Sequence, residues 1–158
     1  MRDRQQVLVE YRSVYYYYFC KLKTKIECFP PFHPILYTYT YIVLVQGSFQ
    51  TPLVYNELLT HLRDLGHPVV LPPLPSCSDV EHYDFPTRTL ADDALAITKV
   101  VEQLVEDGKT VVLVMHSYGG IVGSEAISEN LSYRARQAGG QKGGVIHLFY
   151  YTAFVLDK

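Results

Sequence analysis

From Tyr41 onward, apolar runs of strand length alternate with segments of helical periodicity. Tyr41–Val45 (YIVLV) is uninterrupted and ends at the polar corner Gln46-Gly47-Ser48, as a strand buried in a parallel sheet does. Thr51 followed by Pro52 reads as a helix start, because proline at the first helical position gives up an N–H that has no partner there. Leu58, Leu59, Leu62 and Leu65 make one helical face, and Gly66 is the expected left-handed cap. Val69–Leu71 is a second strand, stopped by Pro72 and Pro73, and 76–87 is a polar loop. Thr89 with Asp92 resembles a capping box, and Asp92 and Asp93 suit the positive end of a helix. Leu90, Ala94, Ile97, Val101, Leu104 and Val105 form its buried stripe, and Gly108 closes it. Val111–Met115 is a third strand, apolar on both faces. The corner His116-Ser117-Tyr118-Gly119-Gly120 then turns the chain into a helix expected from about Gly119 to Ala138. After the loop 139–144, Val145–Val155 is the last strand.

This order, strand–helix–strand–helix–strand–helix–strand, predicts an α/β fold: a mostly parallel sheet with helices on both faces. Sites in such sheets lie at the carboxyl ends of the strands. Gly47-Ser48 and Ser117 therefore face one crevice.

Residues 1–40 break the pattern. Four consecutive tyrosines (Tyr15 to Tyr18) fit neither a helical nor an alternating period, and Lys21, Lys23 and Lys25 cluster behind them. Val14–Phe19 and Lys23–Phe29 have strand propensity. An aromatic binding surface, an irregular extension or strands that patch the sheet edge, and the product of a faulty start or splice site are the readings of this stretch. The expected organisation is a Tyr-rich extension over 1–40 and an α/β unit over 41–158.

Composition adds limits. The chain has 158 residues, 48% of them hydrophobic, enough for one domain with a core. A net charge of -2 gives no reason to expect nucleic acid or an anionic membrane as partner. Cys20, Cys28 and Cys77 are odd in number and read as free thiols of a cytoplasmic protein. No secretory signal is evident, and prolines interrupt the apolar run 29–45, so no membrane span is expected. His61, His67, His82, Asp79 and Asp84 lack metal-ligand spacing and are expected at the surface. Gly119-Gly120-Ile121-Val122-Gly123 only partly mimics a dinucleotide-binding turn, because Ser117 stands at the first glycine position. Gly139-Gly140-Gln141-Lys142-Gly143-Gly144 lacks the Ser or Thr of a phosphate loop and precedes a strand.

The corner carries the chemistry. A serine alcohol needs a base for its proton, a group that orients the base, and donors for the oxyanion that forms. Ser117 is the candidate nucleophile, with the backbone N–H of Tyr118 as one oxyanion donor and that of Ser48 as the second. Gly119 and Gly120 let the turn and the helix pack closely. The plain alternative is a serine capping an ordinary strand-to-helix turn.

VVLVMHSYGG is similar to the G-x-S-x-G nucleophile elbow of the α/β-hydrolase superfamily, and the branch it looks most like holds small esterases and hydroxynitrile lyases. Leu62 to Ser76 and Asp92 to Val114 also match that branch, so the resemblance runs from about Tyr41 to Val155. It implies a partial α/β-hydrolase fold and, in a complete member, cofactor-free hydrolysis of a carboxylic ester or similar small acyl substrate through an acyl-enzyme. Met115 departs from the motif's first glycine, and Gln46 from the histidine of the first loop. In this superfamily the acid and then the histidine follow the serine. After Ser117 the only histidine is His147, inside the last strand; Glu125, Glu129 and Asp157 are the acids, and none precedes a suitable histidine. The triad acid is thus unknown and no triad histidine is found. The competing expectation is a truncated, non-catalytic member or binding remnant, with the last strand an apolar edge open to self-association.

Overall fold

A computed structural model describes residues 39–78 and 80–155. The Tyr-rich stretch up to residue 38, with its two expected strands, lies outside the described residues, as do Cys20, Cys28, Asp79 and Asp157.

Among the described residues four strands form one parallel sheet: β1 (Tyr41–Val45), β2 (Val69–Val70), β3 (Thr110–His116) and β4 (Gly144–Tyr151), in the order β2-β1-β3-β4. Four α-helices connect them: α1 (Asn56–Asp64), α2 (Leu90–Glu106), α3 (Gly119–Ala126) and α4 (Tyr133–Ala138). The larger core packs Val43, Val45, Val111, Leu113 and Met115 against Ile97 and Val101 of α2 and Val122 of α3. On the opposite face Ile42 and Leu44 meet Tyr55 and Leu59, with Val114 partly buried against them. Helices thus cover both faces, but unequally. Along β3, Val111, Leu113 and Met115 are fully buried while Val112 and Val114 are not. The apolar stretch read as buried on both sides is sealed on one.

Local chemistry sets the boundaries. Gly66 adopts φ +89 behind α1, where a left-handed residue lets the His67 N–H reach back to the Leu62 carbonyl at 3.1 Å. Thr89 caps α2 as its box predicts, its N–H donating to the Asp92 carboxylate at 2.7 Å. That bond, first among its causes, holds the Asp92 carboxyl below its ordinary pKa.

Three expectations are corrected. Pro52 opens a 3-10 turn, Pro52–Tyr55, and the α-helix starts only at Asn56. The helix expected from Gly119 to Ala138 is broken: Ile127 turns extended (φ -101, ψ 100), a 3-10 turn follows, and α4 restarts under a Ser132 cap. Ser128, Asn130 and Ser132 offer the backbone local alternatives to a helix, and the break puts Leu131 into the core. Finally, β4 ends at Tyr151 rather than Val155. Thr152 takes φ +41 and the chain bends over the carboxyl end of β3.

Candidate functional site

The strand-to-helix corner is held by close backbone packing. Ser117, partly exposed, has φ +52, a left-handed conformation that costs an L-residue about 1–2 kcal/mol. Its carbonyl accepts from the Gly120 N–H at 3.0 Å and from the Phe154 N–H at 3.1 Å. The segment after β4 is therefore tied to the corner. A Cβ on Gly119 would run into the Val45 carbonyl oxygen and lie 2.8 Å from that of Gln46. One on Gly120 would meet the Phe154 carbonyl oxygen and lie 3.0 Å from Ala153 Cβ. Both glycines are thus required by approach.

Gly123 has the same need for a different reason. A Cβ there would collide with Met115 Sδ and lie 2.8 Å from Leu113 Cδ2. The space for methionine at the first glycine position of the motif is made one turn into α3. The sequence pattern alone assigns Gly123 no such part. The signal was a bulky residue at a normally small position, which demands a small residue opposite.

The loop after β1 presses on the corner. A Cβ on Gly47 would lie 3.2 Å from Ser117 Cβ and 3.1 Å from His116 Nδ1. Gly47 donates its N–H to the Tyr55 hydroxyl at 2.9 Å, and that hydroxyl bonds Gln50 Oε1 and lies 2.8 Å from His116 Nδ1. Burial pushes the Tyr55 phenol pKa up, against the pull of the Gly47 N–H. Gln46, at the position where the resemblance expects histidine, is buried. Its Nε2 donates to the Gln50 carbonyl at 3.0 Å and its Oε1 has no partner among the described residues. Ser48 stands at the tip of this loop beside exposed Phe49. The predicted loop and corner are brought together. No acceptor bonds the Ser48 or Tyr118 N–H among the described residues.

Tyr118 reaches away from the corner. Its hydroxyl donates to Asp93 Oδ2 at 2.8 Å. Burial, then this bond, pushes the Tyr118 phenol up to about 12 from 10.0. Asp93 is fully buried in the first turn of α2 and also accepts the N–H and hydroxyl of Ser76, at 2.8 and 2.5 Å. In the sequence Asp93 reads only as an acid suited to the positive end of a helix. The missed signal was a second acid in a turn whose capping box already uses Asp92.

No described histidine bonds Ser117. His116 is held by Tyr55 and stacks on Tyr151, ring centroids 4.8 Å apart. His61, His67 and His82 bond the Glu57 carbonyl, the Thr40 carbonyl and Asp84. His147 is exposed on β4, and Glu125 and Glu129 are exposed beyond the corner. A cleft of about 370 Å³ opens beside the end of β1 between Gln46, Thr51, Pro52, Pro73 and Cys77; Ser117 is not among its walls. Among the described residues no three His, Cys, Asp or Glu side chains converge as metal ligands, and no helix is long and apolar enough to cross a membrane.

A parallel sheet with a serine on a left-handed corner at the end of β3 defines a class of fold, and sequence comparison agrees with it. The model of the alpha/beta hydrolase family matches residues 42–155, and the chain belongs to that family. It is 36% identical over 118 residues to the "Probable hydrolase R7" of a Phoma species, covering 75% of this chain and 44% of that protein. It is 35% identical over 115 residues to the "Alpha/beta hydrolase nvfD" of Aspergillus novofumigatus, covering 73% and 43%. The chain thus spans less than half the length of these relatives. The fold is also similar to tomato methylketone synthase I, solved with 2-tridecanone, at a TM-score of 0.58, 15% identity and coverage of 75% and 42%. An extracellular α/β-hydrolase from a Paenibacillus species matches at a TM-score of 0.54 and 22% identity, with the same coverage.

Proposed function

We propose that the protein is an esterase-type serine hydrolase acting on carboxylic esters or similar small acyl substrates, with Ser117 as the nucleophile of a nucleophile elbow. The Tyr118 and Ser48 N–H groups are its oxyanion donors. The observation that carries this reading is the left-handed backbone of Ser117 (φ +52), kept by glycines that admit no side chain. An ordinary capping serine has extended backbone, so the strain needs another reason, and display of a reactive hydroxyl is one. Ser117 Oγ attacks the ester carbonyl carbon and the carbonyl oxygen becomes an oxyanion facing the two N–H groups. The alcohol leaves, and water releases the acid from the acyl-serine and restores the hydroxyl. No metal or redox cofactor enters these steps. The serine proton leaves with the alcohol; among the described residues no histidine bonds Ser117 to carry it.

A second reading, a truncated binding remnant that keeps the corner without catalysis, is favoured by one observation: no described histidine bonds Ser117. Hydrolysis of nitrophenyl acetate by the purified chain separates the two. Turnover lost in Ser117→Ala supports the hydrolase. A rate equal to that of Ser117→Ala, from a folded chain, supports the remnant.

A further inference from the structure

We infer that Asp93 is a positioning residue for the oxyanion donor, holding the Tyr118 backbone N–H in place through the Tyr118 hydroxyl. The inference rests on the reading of Ser117 as nucleophile and names what aims the group beside it.

The donor N–H belongs to the planar peptide that joins Ser117 to Tyr118. Its carbonyl end is clamped by the Gly120 and Phe154 N–H groups, at 3.0 and 3.1 Å. In a trans peptide the N–H points opposite to the carbonyl, so the clamp turns the N–H away from Phe154. The α-carbon end is fixed by the side chain, through the 2.8 Å bond from Tyr118 to Asp93. Asp93 is itself held on several sides: it is fully buried, and three donors from Ser76 and Tyr118 converge on its two oxygens. A buried carboxylate is costly for stability compared with an apolar residue of similar size. The helix does not need it as a cap, because Asp92 already fills that place. What Asp93 does that an apolar residue could not is bond Ser76 and, with it, the side chain that follows Ser117. Misplacing a reacting group by about 1 Å costs up to ~100-fold in rate.

The test reads oxyanion binding without needing turnover. Phenylboronic acid adds Ser117 Oγ to boron, the serine proton passes to solvent, and the tetrahedral boronate carries its negative charge on oxygens that face the donors. Its dissociation constant is measured by boron NMR on the whole chain. The wild type forms the adduct and Ser117→Ala does not. Tyr118→Phe, which removes one oxygen atom, weakens the adduct about tenfold or more, short of the ~100–1000-fold of a lost donor. Asp93→Asn weakens it similarly, and the double variant is no weaker than the worse single one, as expected of one chain of action. Ser124→Ala, which cuts the 2.8 Å contact of α3 with Tyr150, leaves the constant unchanged. If Asp93→Asn fails to fold, Tyr118→Phe decides alone. An adduct of equal strength in Tyr118→Phe overturns the inference and leaves the nucleophile standing. No adduct in the wild type overturns both.

Discussion

Met115 Sδ fills the space that a Cβ at Gly123 would need, and Met115 Cγ would lie 2.9 Å from that Cβ. The two residues form one packing unit across β3 and α3. Gly123→Ala is expected to cost about 1–3 kcal/mol by overpacking, and Met115→Ala about 2–5 kcal/mol by leaving a cavity. Combined, they cost less than the sum, because each change supplies what the other lacks. Urea unfolding of the three variants checks this; additive losses would contradict the pairing.

The strain at Ser117 gives a stability signature independent of catalysis. Ser117→Ala and Ser117→Gly both remove the hydroxyl, but only glycine is at ease at φ +52. The glycine variant should be the more stable of the two by about 1 kcal/mol. Thermal unfolding measures the difference, and an alanine variant equal to or above the glycine one would argue against a strained corner.

Alkaline pH probes the Tyr118–Asp93 bond. The Tyr118 phenol is raised from 10.0 to about 12 in the fold, so the folded state keeps its proton where the unfolded state has lost it. Its contribution to stability is full below the unfolded value and disappears as pH rises from about 10 to about 12. Urea midpoints measured at pH 8, 10 and 11 should fall over that window, and fall less steeply in Tyr118→Phe. Parallel slopes in the two proteins would contradict the assignment.

At the other side of the sheet, β4 has an unpaired edge among the described residues and exposes Ile146 and Phe149. Ile146 sits at a register shift against Val111 and Val112. A long apolar edge recruits other strands. Sedimentation should therefore show concentration-dependent association, reduced by Ile146→Lys. A monomer at every concentration would contradict it.

The sheet could be read from the sequence because its strands are short apolar runs, β1 and β2 closed by Gly47 and Pro72, and the crossovers leave few parallel arrangements. Ser117, Gly119 and Gly120 were legible for the same reason: a buried strand must turn sharply into a helix. The break at Ile127 was not, since Ser128, Asn130 and Ser132 offer an alternative to a helix without requiring it, and the burial of Leu131 that goes with the break is a tertiary contact. Asp93 and Tyr55 were hidden because their partners, Tyr118 and His116, lie 25 and 61 residues away. No local pattern encodes such a pair. Nor could spacing show that Phe154 returns to the Ser117 carbonyl, because that depends on where β4 ends.

The proposed hydrolase requires that Ser117 be the reactive serine of this chain. Treating the folded protein with a fluorophosphonate and mapping the adduct by mass spectrometry tests it most directly. The adduct is predicted on the Ser117 peptide and is absent from Ser117→Ala. An adduct on another serine, or an equal yield in Ser117→Ala, would contradict the account.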